Sequence, residues 1–538
     1  MKKNRIYKDS VKEKVVKVLG VLPFYLFTLL PLTSCADLDQ TSISSIDKDD
    51  FYQNESDVKV ALNGIYQTLT DGGMNAPWND ELIFLNDLQS EYARRGTANS
   101  AAITEIGNFA ITPTNDFVKT AWLYRYTAIN RANILIDKVS DNKQLADNVR
   151  NNYVRAAKFL RGLYYFDLVR LFGDVPLVIH DGEGEGEPRT SKDEVYRQIV
   201  DDLTEAEGIT ADFAKLTSEA SSQAASGLLS KVYITWAQTD SEYSKTHQSE
   251  LYQKAIDAAN KVISSGKFKL IDKFIDNWSL DKKEGPELIF TVEHKFGVNR
   301  NITGHCIFST GFTNAKLPVI AAINNNLYYE FDANDQRRDA SVTLRLYDPA
   351  TGKDFDFERL RFRKYIDTLY MANESAPYIS GQNTSSSVLR YAEILLVKAE
   401  AENELNGPTA AAYDALNAIR RRAYWNPYTN SQNQPADGTP VELSGLSKEQ
   451  LRKAIQDERY REFVTEGNRW FDLKRWHILV KTIKEKVPTD DLKYKNISTR
   501  NYYLPVPEAQ IELNPNLEQN WGYAGETSGD PYTALGWE

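Results

Sequence analysis

Apolar residues recur with the period of an α-helix through much of the chain. Residues 119–140 and 148–172 carry them at positions i, i+3, i+4 and i+7, which form one face of a helix. The second segment stops at Gly173, a residue type typical of the position just after a helix end. Ser191, followed three residues later by Glu194, predicts the start of a further helix.

The same periodicity returns in pairs of segments. We predict a helix that begins at Asp49 or Asp50 and runs to about residue 69, a pair at 224–237 and 251–264, and two more pairs at 389–423 and 447–485. Each pair has roughly the size of a tetratricopeptide hairpin, although the full repeat signature is absent. The pattern therefore predicts a mainly α protein, with a tetratricopeptide-like helical hairpin scaffold forming a single body over residues 49–538.

Two long stretches interrupt the helical pattern. Residues 70–118 are irregular and contain several glycines and prolines. Residues 266–388 contain short β-like runs, such as Leu288–Val292 and Val342–Tyr347. Residues 486–538 are rich in proline and predict a loop-like C-terminal segment. We therefore expect long inserted loops and a few short β segments, and such loops are where binding residues are usually displayed.

The N-terminus has the pattern of an export signal. Residues 2–17 carry seven basic side chains, and the apolar run Val18–Leu32 that follows is shorter than the ~20 residues of a spanning helix. Small residues precede Cys35, as in a bacterial lipobox, where the cysteine receives acyl chains such as palmitate. We predict a signal peptide over 1–34 and a lipidated tether over 35–48, and two or more acyl chains anchor a protein stably. A soluble periplasmic protein with an incidental cysteine is the alternative.

The charge balance limits the class of partner. The chain has a formal net charge of −11, of which residues 1–34 contribute +5, so the remaining chain carries about −16. A broad basic face for nucleic acid or anionic lipid is therefore not expected. We predict no nucleic-acid partner.

Catalytic motifs are missing from the sequence. The five histidines form no HExxH or other short metal spacing, and neither a G-x-S-x-G elbow nor a P-loop occurs. The run Gly182–Glu187 alternates glycine with glutamate and predicts a flexible acidic surface loop, with a structural calcium site as the alternative. We predict no enzymatic activity, no catalytic or metal-binding residues and no cofactor. Paired carboxylates of a glycoside hydrolase stay an alternative, because 75 acidic residues offer many pairs.

Candidate ligand-binding residues lie in three irregular segments, 70–118, 266–330 and 424–440. An aromatic face stacks on a sugar ring while amide, carboxylate and guanidinium groups bond its hydroxyls. The candidates are Trp78, Asn79, Asp80, Tyr92 and Arg94 in the first segment, Asn299, Arg300, Phe312 and Asn314 in the second, and Trp425 and Tyr428 in the third. Trp78 is the first choice because polar residues follow it directly.

Several motifs occur in a fixed order along the chain. They are Arg155–Arg161 with Tyr164–Leu177, Pro188 and Arg189 with Glu194–Tyr196, Arg390–Leu396 with Leu416–Arg420, Asp457–Trp476, and Tyr503–Pro507. Together the series resembles the SusD/RagB family of outer-membrane lipoproteins over nearly the whole chain. Each motif alone would be weak, whereas the ordered set is specific.

The resemblance implies more than a fold. It implies a lipid-anchored, exterior-facing protein of the outer membrane that partners a SusC-like TonB-dependent transporter and delivers a ligand to it, often an oligosaccharide. We therefore expect carbohydrate binding for nutrient uptake. A peptide- or protein-binding adaptor is the main alternative, and a glycoside hydrolase is less favoured. Motif residues such as Arg161 and Asp167 are expected to tie adjacent helices together, so the family motifs supply no binding residue.

Overall fold

Helices fill most of the chain, as the periodicity predicts. The computed structural model describes residues 51–70, 77–79, 81–96, 100–295, 298–299, 301, 318–348, 351–366, 383–525 and 529–537. Its α-helices are α1 Glu55–Gln67, α2 Ala101–Gly107, α3 Asp116–Val139, α4 Asp147–Phe172, α5 Lys192–Ala206, α6 Ser222–Ala237, α7 Glu242–Ser264, α8 Asn326–Tyr329, α9 Arg337–Ser341, α10 Tyr391–Asn406, α11 Ala410–Ala423, α12 Lys448–Glu462, α13 Arg469–Arg475, α14 Leu479–Lys486, α15 Leu492–Asn496 and α16 Glu508–Leu513.

Long helices that follow one another in sequence pack side by side. Helix α3 packs on α4, α4 on α5, and α6 on α7, while α10 contacts α7, α11 and α12. This arrangement confirms the mainly α, tetratricopeptide-like scaffold. Gly173 ends α4 with a φ of +77°, a backbone conformation that glycine adopts without strain. Ser191 caps α5 as predicted, because its side chain accepts a hydrogen bond from the backbone N–H of Glu194.

Some predicted boundaries are wrong. Helix α1 is capped by Asn54, whose side chain accepts from the Asp57 N–H at 3.1 Å, so the predicted start at Asp49 or Asp50 is wrong. Helix α7 begins at Glu242 instead of residue 251, after an N-cap at Ser241, and it kinks at His247. Residues 242–250 contain one aromatic residue, Tyr243, and no aliphatic residue, so apolar periodicity identifies only the second half of α7.

The described residues contain short antiparallel pairs of strands. The strands are β1 Ala93–Arg95, β2 Leu288–Val292, β3 Ile320–Ala322, β4 Val342–Asp348, β5 Lys353–Phe362, β6 Ser386–Arg390, β7 Trp425–Asn426 and β8 Ser431–Gln432. The pairs are β1 with β3, β2 with β6, β4 with β5, and β7 with β8. The two predicted β-like runs are thus confirmed in β2 and β4. Because β1 pairs with β3, the two inserted stretches are joined to each other.

Much of residues 81–96 is packed inside the protein and not displayed as a loop. Phe84 stacks edge-on against Phe117 of α3, with ring centroids 5.4 Å apart, and Leu88 is fully buried. Lys493 of α15 donates to the carbonyl oxygens of Leu88, Ser90 and Ala93, each at 2.7 Å. This part of the chain is therefore a component of the core.

Buried ion pairs tie the N-terminal helices together. The Arg125 guanidinium of α3 lies 2.7 Å from Glu81 and 3.0 Å from Asp167 of α4. Arg161 of α4 lies 2.7 Å from Asp202 of α5. The expectation that Arg161 and Asp167 link adjacent helices is confirmed.

A larger ionic group, the Arg390 cluster, joins β6, α9, α11 and α12 with the residue before β2. Its members are Arg390, Arg422, Arg337, Glu287, Glu462 and Glu466. Arg390 lies 2.6 Å from Glu287, 2.7 Å from Glu462 and 2.8 Å from Glu466, and all four side chains are buried. Burial alone would raise the pKa of Glu462, but the guanidinium groups outweigh it and hold that pKa well below its usual range.

Residues Tyr52–Glu538 form one compact unit with a continuous apolar core. A second, smaller apolar cluster lies among α10, α11 and α12 and includes Leu396, Leu416 and Ile455. Within the described ranges, no helix is long and apolar enough to cross a membrane.

Candidate functional site

Three stretches of the chain that are distant in sequence meet at one buried point, the loop junction, formed by Trp78, His294, Asn301 and Ser386. The His294 ring is fully buried, and its Nε2 lies 3.1 Å from the Trp78 carbonyl oxygen and 3.2 Å from the Ser386 hydroxyl. Its Nδ1 lies 2.9 Å from the carbonyl oxygen of Asn299. One imidazole therefore contacts main-chain carbonyl oxygens of both inserted stretches and the side-chain hydroxyl of Ser386 in β6.

Asn301 completes the loop junction. Its side-chain amide donates to the Thr384 carbonyl oxygen at 2.8 Å and to the Ser386 hydroxyl at 3.2 Å. Nearby, the Asn299 amide donates to the Thr70 hydroxyl at 3.3 Å and to the Glu293 carbonyl oxygen at 3.0 Å. The loop junction is thus held by neutral hydrogen-bonding groups.

The protonation of His294 is set mainly by its surroundings. Burial lowers the pKa of His294 to about 4, although the facing carbonyl oxygens of Asn299 and Trp78 favour the charged ring. A neutral imidazole carries one N–H, so it donates to only one of these two carbonyl oxygens at a time. The ring is therefore neutral at physiological pH, and its role is structural: it holds Trp78, Asn299 and Ser386 together.

An open cleft of 670 Å³ borders the loop junction at Thr70, Glu293 and Asn299. We call it the α1 cleft, because α1 lines it along its length, from Glu55 to Gln67. Two further walls come from the start of α4 and from the segment 212–219. Its volume lies within the range of roughly 300–1,000 Å³ that is typical of small-molecule sites.

Aromatic rings and amides line the α1 cleft. Tyr66 is half-buried, and its hydroxyl accepts from the Ala220 N–H at 2.8 Å. Phe213 is also half-buried and packs edge-on against Tyr153, with ring centroids 5.1 Å apart. The amides of the lining belong to Asn63, Gln67, Asn148, Asn152 and Asn299. Such a lining offers apolar ring faces beside hydrogen-bonding groups.

The charged residues of the α1 cleft are of both signs. They are Glu55, Lys59, Asp212, Lys215, Glu219 and Glu293. The Glu219 carboxylate is already engaged, since it accepts from the N–H groups of Lys215 and Leu216 at 2.6 and 3.1 Å. A hydrogen bond from the Thr210 hydroxyl lowers the pKa of Asp212. A glycosidase acid would need a raised pKa in the cleft, which Asp212 does not have.

A raised carboxyl pKa does occur elsewhere, at Asp87. Burial raises the pKa of Asp87 to about 7. Its oxygens accept from the Tyr92 hydroxyl at 2.5 Å and from the Gly467 N–H at 3.1 Å. Asp87 does not line the α1 cleft, and burial is the main cause of its raised pKa.

Two of the predicted sugar platforms are corrected by the structure. The Trp78 side chain is only 6% exposed and packs edge-on against Tyr164, with ring centroids 6.4 Å apart. Tyr92 is 3% exposed and packs against Phe362 and Tyr460. Neither ring face is open to a ligand, because both belong to the core. The side chain of Asn79 is likewise buried.

The other described candidates lie in different places. Asn299 lines the α1 cleft. Arg94 lies in β1 opposite Ala321 and does not line the cleft. Trp425 is half-buried and Tyr428 is 82% exposed, and both lie in or beside the β7–β8 hairpin, which contributes no lining residue to the cleft. Among the predicted binding residues that the structure describes, Asn299 alone lines the α1 cleft.

Several predicted positions fall outside the described residues. They are Cys35, Asp80, Arg300, Phe312 and Asn314, together with the predicted signal peptide at 1–34 and the tether at 35–48. Among the residues that the structure does describe, no group of three or more His, Cys, Asp or Glu side chains is arranged to hold a metal ion.

The cleft residues on α1 escaped the sequence prediction. Lys59, Asn63, Tyr66 and Gln67 follow the spacing i, i+4, i+7 and i+8, so they form one stripe opposite the apolar face of the helix. The available signal was an aromatic residue, Tyr66, beside two amides on the polar face of an amphipathic helix. It is weak, because solvated helix faces are usually polar.

Two family models match consecutive parts of this chain. One, described as the SusD family, matches residues 236–523, and the other, described as starch-binding associating with outer membrane, matches residues 38–234. The chain belongs to the SusD family, since the first match alone covers more than half of it. This confirms the resemblance carried by the ordered motifs.

Individual relatives agree with that assignment. SusD-like protein P25 from Formosa agariphila is 26% identical over 547 residues, covering 92% of this chain and 96% of its own. A SusD homolog from Bacteroides thetaiotaomicron has a TM-score of 0.75 at 24% identity and covers 88% of this chain and 98% of its own. A laminarin-binding SusD-like protein has a TM-score of 0.68 at 24% identity, covering 88% of this chain and 100% of its own. The two solved structures share the fold with this chain.

Proposed function

We propose that this protein captures oligosaccharide at the bacterial outer membrane and passes it to a SusC-like TonB-dependent transporter. Lipid on Cys35 holds it at the membrane, facing the exterior, and it catalyses no reaction. The observation that carries the proposal is the α1 cleft, an open cavity of 670 Å³ lined by aromatic rings and amides in a chain of the SusD family.

The chemistry of the α1 cleft suits a sugar ring. The faces of Tyr66 and Phe213 can pack on the apolar face of a sugar without burying an unpaired polar group. The amides of Asn63 and Asn148 are exposed and can both donate to and accept from hydroxyl groups. The match to a starch-binding family and the shared fold with a laminarin-binding SusD-like protein support a glycan as the ligand.

Calorimetry of cleft variants tests the proposed ligand site. The titrants are oligosaccharides derived from laminarin and from starch, with a set of short peptides alongside. Phe213→Ala should weaken glycan binding by about tenfold or more, since removal of a central aromatic anchor typically costs about 2 kcal/mol. Tyr66→Phe keeps the ring and should bind nearly as the parent does.

Tyr428→Ala is the matched control, because it removes an exposed aromatic ring outside the cleft. Unchanged binding by Phe213→Ala together with weakened binding by Tyr428→Ala would move the site to the β7–β8 hairpin. Binding of peptides but of no glycan would favour the peptide-binding adaptor. Product formation beyond one turnover per protein would establish an enzyme instead.

The membrane anchor and the transporter have their own test. Cys35→Ala should release the protein from outer-membrane fractions into the soluble fraction, because the lipid is the proposed attachment. In mild detergent, the parent protein should co-purify with a TonB-dependent barrel. Retention of Cys35→Ala in salt-washed membranes would contradict the lipid anchor, and absence of any such barrel after crosslinking in intact cells would contradict the partnership.

A further inference from the structure

The alternating run Gly182–Glu187 has a defined conformation. Gly182, Gly184 and Gly186 have φ values of +80°, +106° and +78°, which L side chains rarely adopt. A Cβ at position 184 would lie 3.2 Å from Cγ2 of Val178. The glycines are therefore required by the backbone, and the intervening glutamates project from a turn of fixed shape.

Side chains from the C-terminal part of the chain hold this turn in place. The Asn514 amide donates to the carbonyl oxygen of Glu187 at 2.8 Å, and the Asn516 amide donates to that of Gly186 at 2.7 Å. Within the turn, the Glu183 carboxylate accepts from the N–H groups of Ile179 and His180 at 3.2 and 3.1 Å. The expected flexible acidic loop is thus hydrogen-bonded at both ends.

A groove of 440 Å³ lies between this turn, α3 and α16, and we call it the acidic groove. Its floor is apolar and includes Trp122, Ile129 and Leu517. Leu123 and Leu513, on opposite walls, are 39% and 80% exposed. Exposed apolar side chains grouped around a groove mark a surface that another molecule covers.

The charge of the acidic groove has one sign. Glu183 and Glu185 are its charged lining residues, and no lysine or arginine occurs among the described residues that line it. The whole chain is acidic as well, with a net charge of −11. A second copy of the chain is therefore repelled, whereas a basic partner is attracted.

We propose that the acidic groove is a docking site for a polypeptide segment that carries aliphatic side chains next to lysine or arginine. The aliphatic side chains occupy the floor between Leu123 and Leu513, and the basic side chains pair with Glu183 and Glu185. The acidic groove and the α1 cleft share no lining residue, so this docking site is separate from the proposed glycan site and does not depend on it.

The test uses the full-length protein and a labelled probe peptide in which leucines alternate with pairs of lysines. Fluorescence anisotropy at physiological salt gives its Kd. Two companion peptides carry glutamate in place of lysine, or serine in place of leucine, and both should bind at least about tenfold more weakly, because each removes one of the two complementary features.

Protein variants locate the binding. Leu513→Ser, and separately the double variant Glu183→Gln with Glu185→Gln, should each raise the Kd of the probe at least about fivefold. Glutamine at position 183 keeps an acceptor for the two N–H groups it holds, so the turn is preserved. The matched controls are Leu492→Ser, an exposed leucine on α15, and Glu242→Gln with Glu449→Gln, two exposed glutamates elsewhere.

A benzophenone group on the probe gives a second readout by crosslinking and mass spectrometry. Crosslinks within 122–130, 176–186 or 510–517, the three segments that line the groove, support the proposal. It is overturned if the probe fails to bind, if the groove variants and their controls bind it equally, or if the crosslinks map elsewhere. Glycan binding at the α1 cleft is measured on the same variants and should stay unchanged, which separates failure of this proposal from failure of the proposed function.

Discussion

The Arg390 cluster and the loop junction both join parts of the chain that are far apart in sequence, but they do so with opposite chemistry. In the cluster, buried guanidinium groups meet buried carboxylates, as where Arg390 contacts Glu287, Glu462 and Glu466. In the loop junction, the His294 ring and the Asn301 amide bond to main-chain carbonyl oxygens and to the Ser386 hydroxyl.

The two regions also differ in what surrounds them. Arg390, Glu462 and Glu466 belong to motifs that carry the family resemblance, and they lie inside the helical scaffold. The loop junction instead borders the α1 cleft through Asn299. Family motifs therefore report on the scaffold, whereas none of the residues that line the α1 cleft belongs to them. A shared scaffold does not by itself specify a ligand.

The largest expected effect comes from opening the Arg390 cluster. Arg390→Met removes one guanidinium partner from each of three buried carboxylates, and it should lower the free energy of unfolding by about 3–5 kcal/mol. Denaturant unfolding measures the loss. The matched control is Arg345→Met, which breaks an ion pair with Asp356 on the surface and should cost less than about 1 kcal/mol. Equal losses from both variants would show that the cluster contributes no more than a surface pair.

The loop junction and the Arg390 cluster should lose their contributions to stability in different pH ranges. The pKa of His294 is about 4 in the folded chain and 6.5 in its ordinary state. Between pH 6.5 and 4 the unfolded chain takes up a proton that the folded chain does not, so stability falls as the pH drops through this window. For His294 the loss is at most about 3 kcal/mol near pH 4. The pKa of Glu462 is instead held below its ordinary 4.5, so its contribution is lost only below that pH.

The free energy of unfolding, measured from pH 7.5 to 4 in the parent and in His294→Gln, tests whether His294 causes the loss of stability in this window. The variant should be less stable at neutral pH and should lose less stability on acidification, because it lacks the titrating ring. His477 has a pKa lowered to about 4 by burial and contributes to the same window, so His477→Gln serves as the comparison for a histidine outside the junction. A pH dependence unchanged by His294→Gln would contradict the assignment.

Much of the scaffold could be predicted from the sequence, because helix periodicity and caps are local. Gly173 and Ser191 were placed correctly, since each acts on its own neighbours. The start of α1 was wrong because Asp49, Asp50 and Asn54 are all good capping residues, and periodicity does not choose among them. The family could be predicted from the ordered motifs alone.

The candidate site was harder to predict. Trp78 stands in an irregular, polar stretch, and nothing local reveals that its ring lies against Tyr164 and its carbonyl oxygen against His294, 216 positions away. Burial of an irregular segment depends on such distant contacts. Asn299 was predicted because its segment is irregular, whereas Tyr66 and Phe213 were missed because a helix face and a short loop carry no specific signal.

The smallest expected effect concerns Asn299, which joins the loop junction to the α1 cleft. Its side chain donates to Thr70 and to Glu293, and it accepts from the Lys295 N–H at 2.9 Å. Asn299→Ala should lower the free energy of unfolding by only about 1 kcal/mol, because these partners lie near solvent and can bond to water instead.

Asn426→Ala is the matched control for Asn299→Ala. The Asn426 side chain accepts from the N–H groups of Tyr428 and Thr429 in the β7–β8 hairpin, outside the α1 cleft. Both variants should cost a similar amount in thermal unfolding, since each removes hydrogen bonds that shape a turn at the surface. Only Asn299→Ala should also weaken glycan binding by calorimetry, because it alone loosens the wall of the cleft. Weaker binding in both variants, or in Asn426→Ala alone, would mean that the α1 cleft is not the part of this surface that meets the ligand.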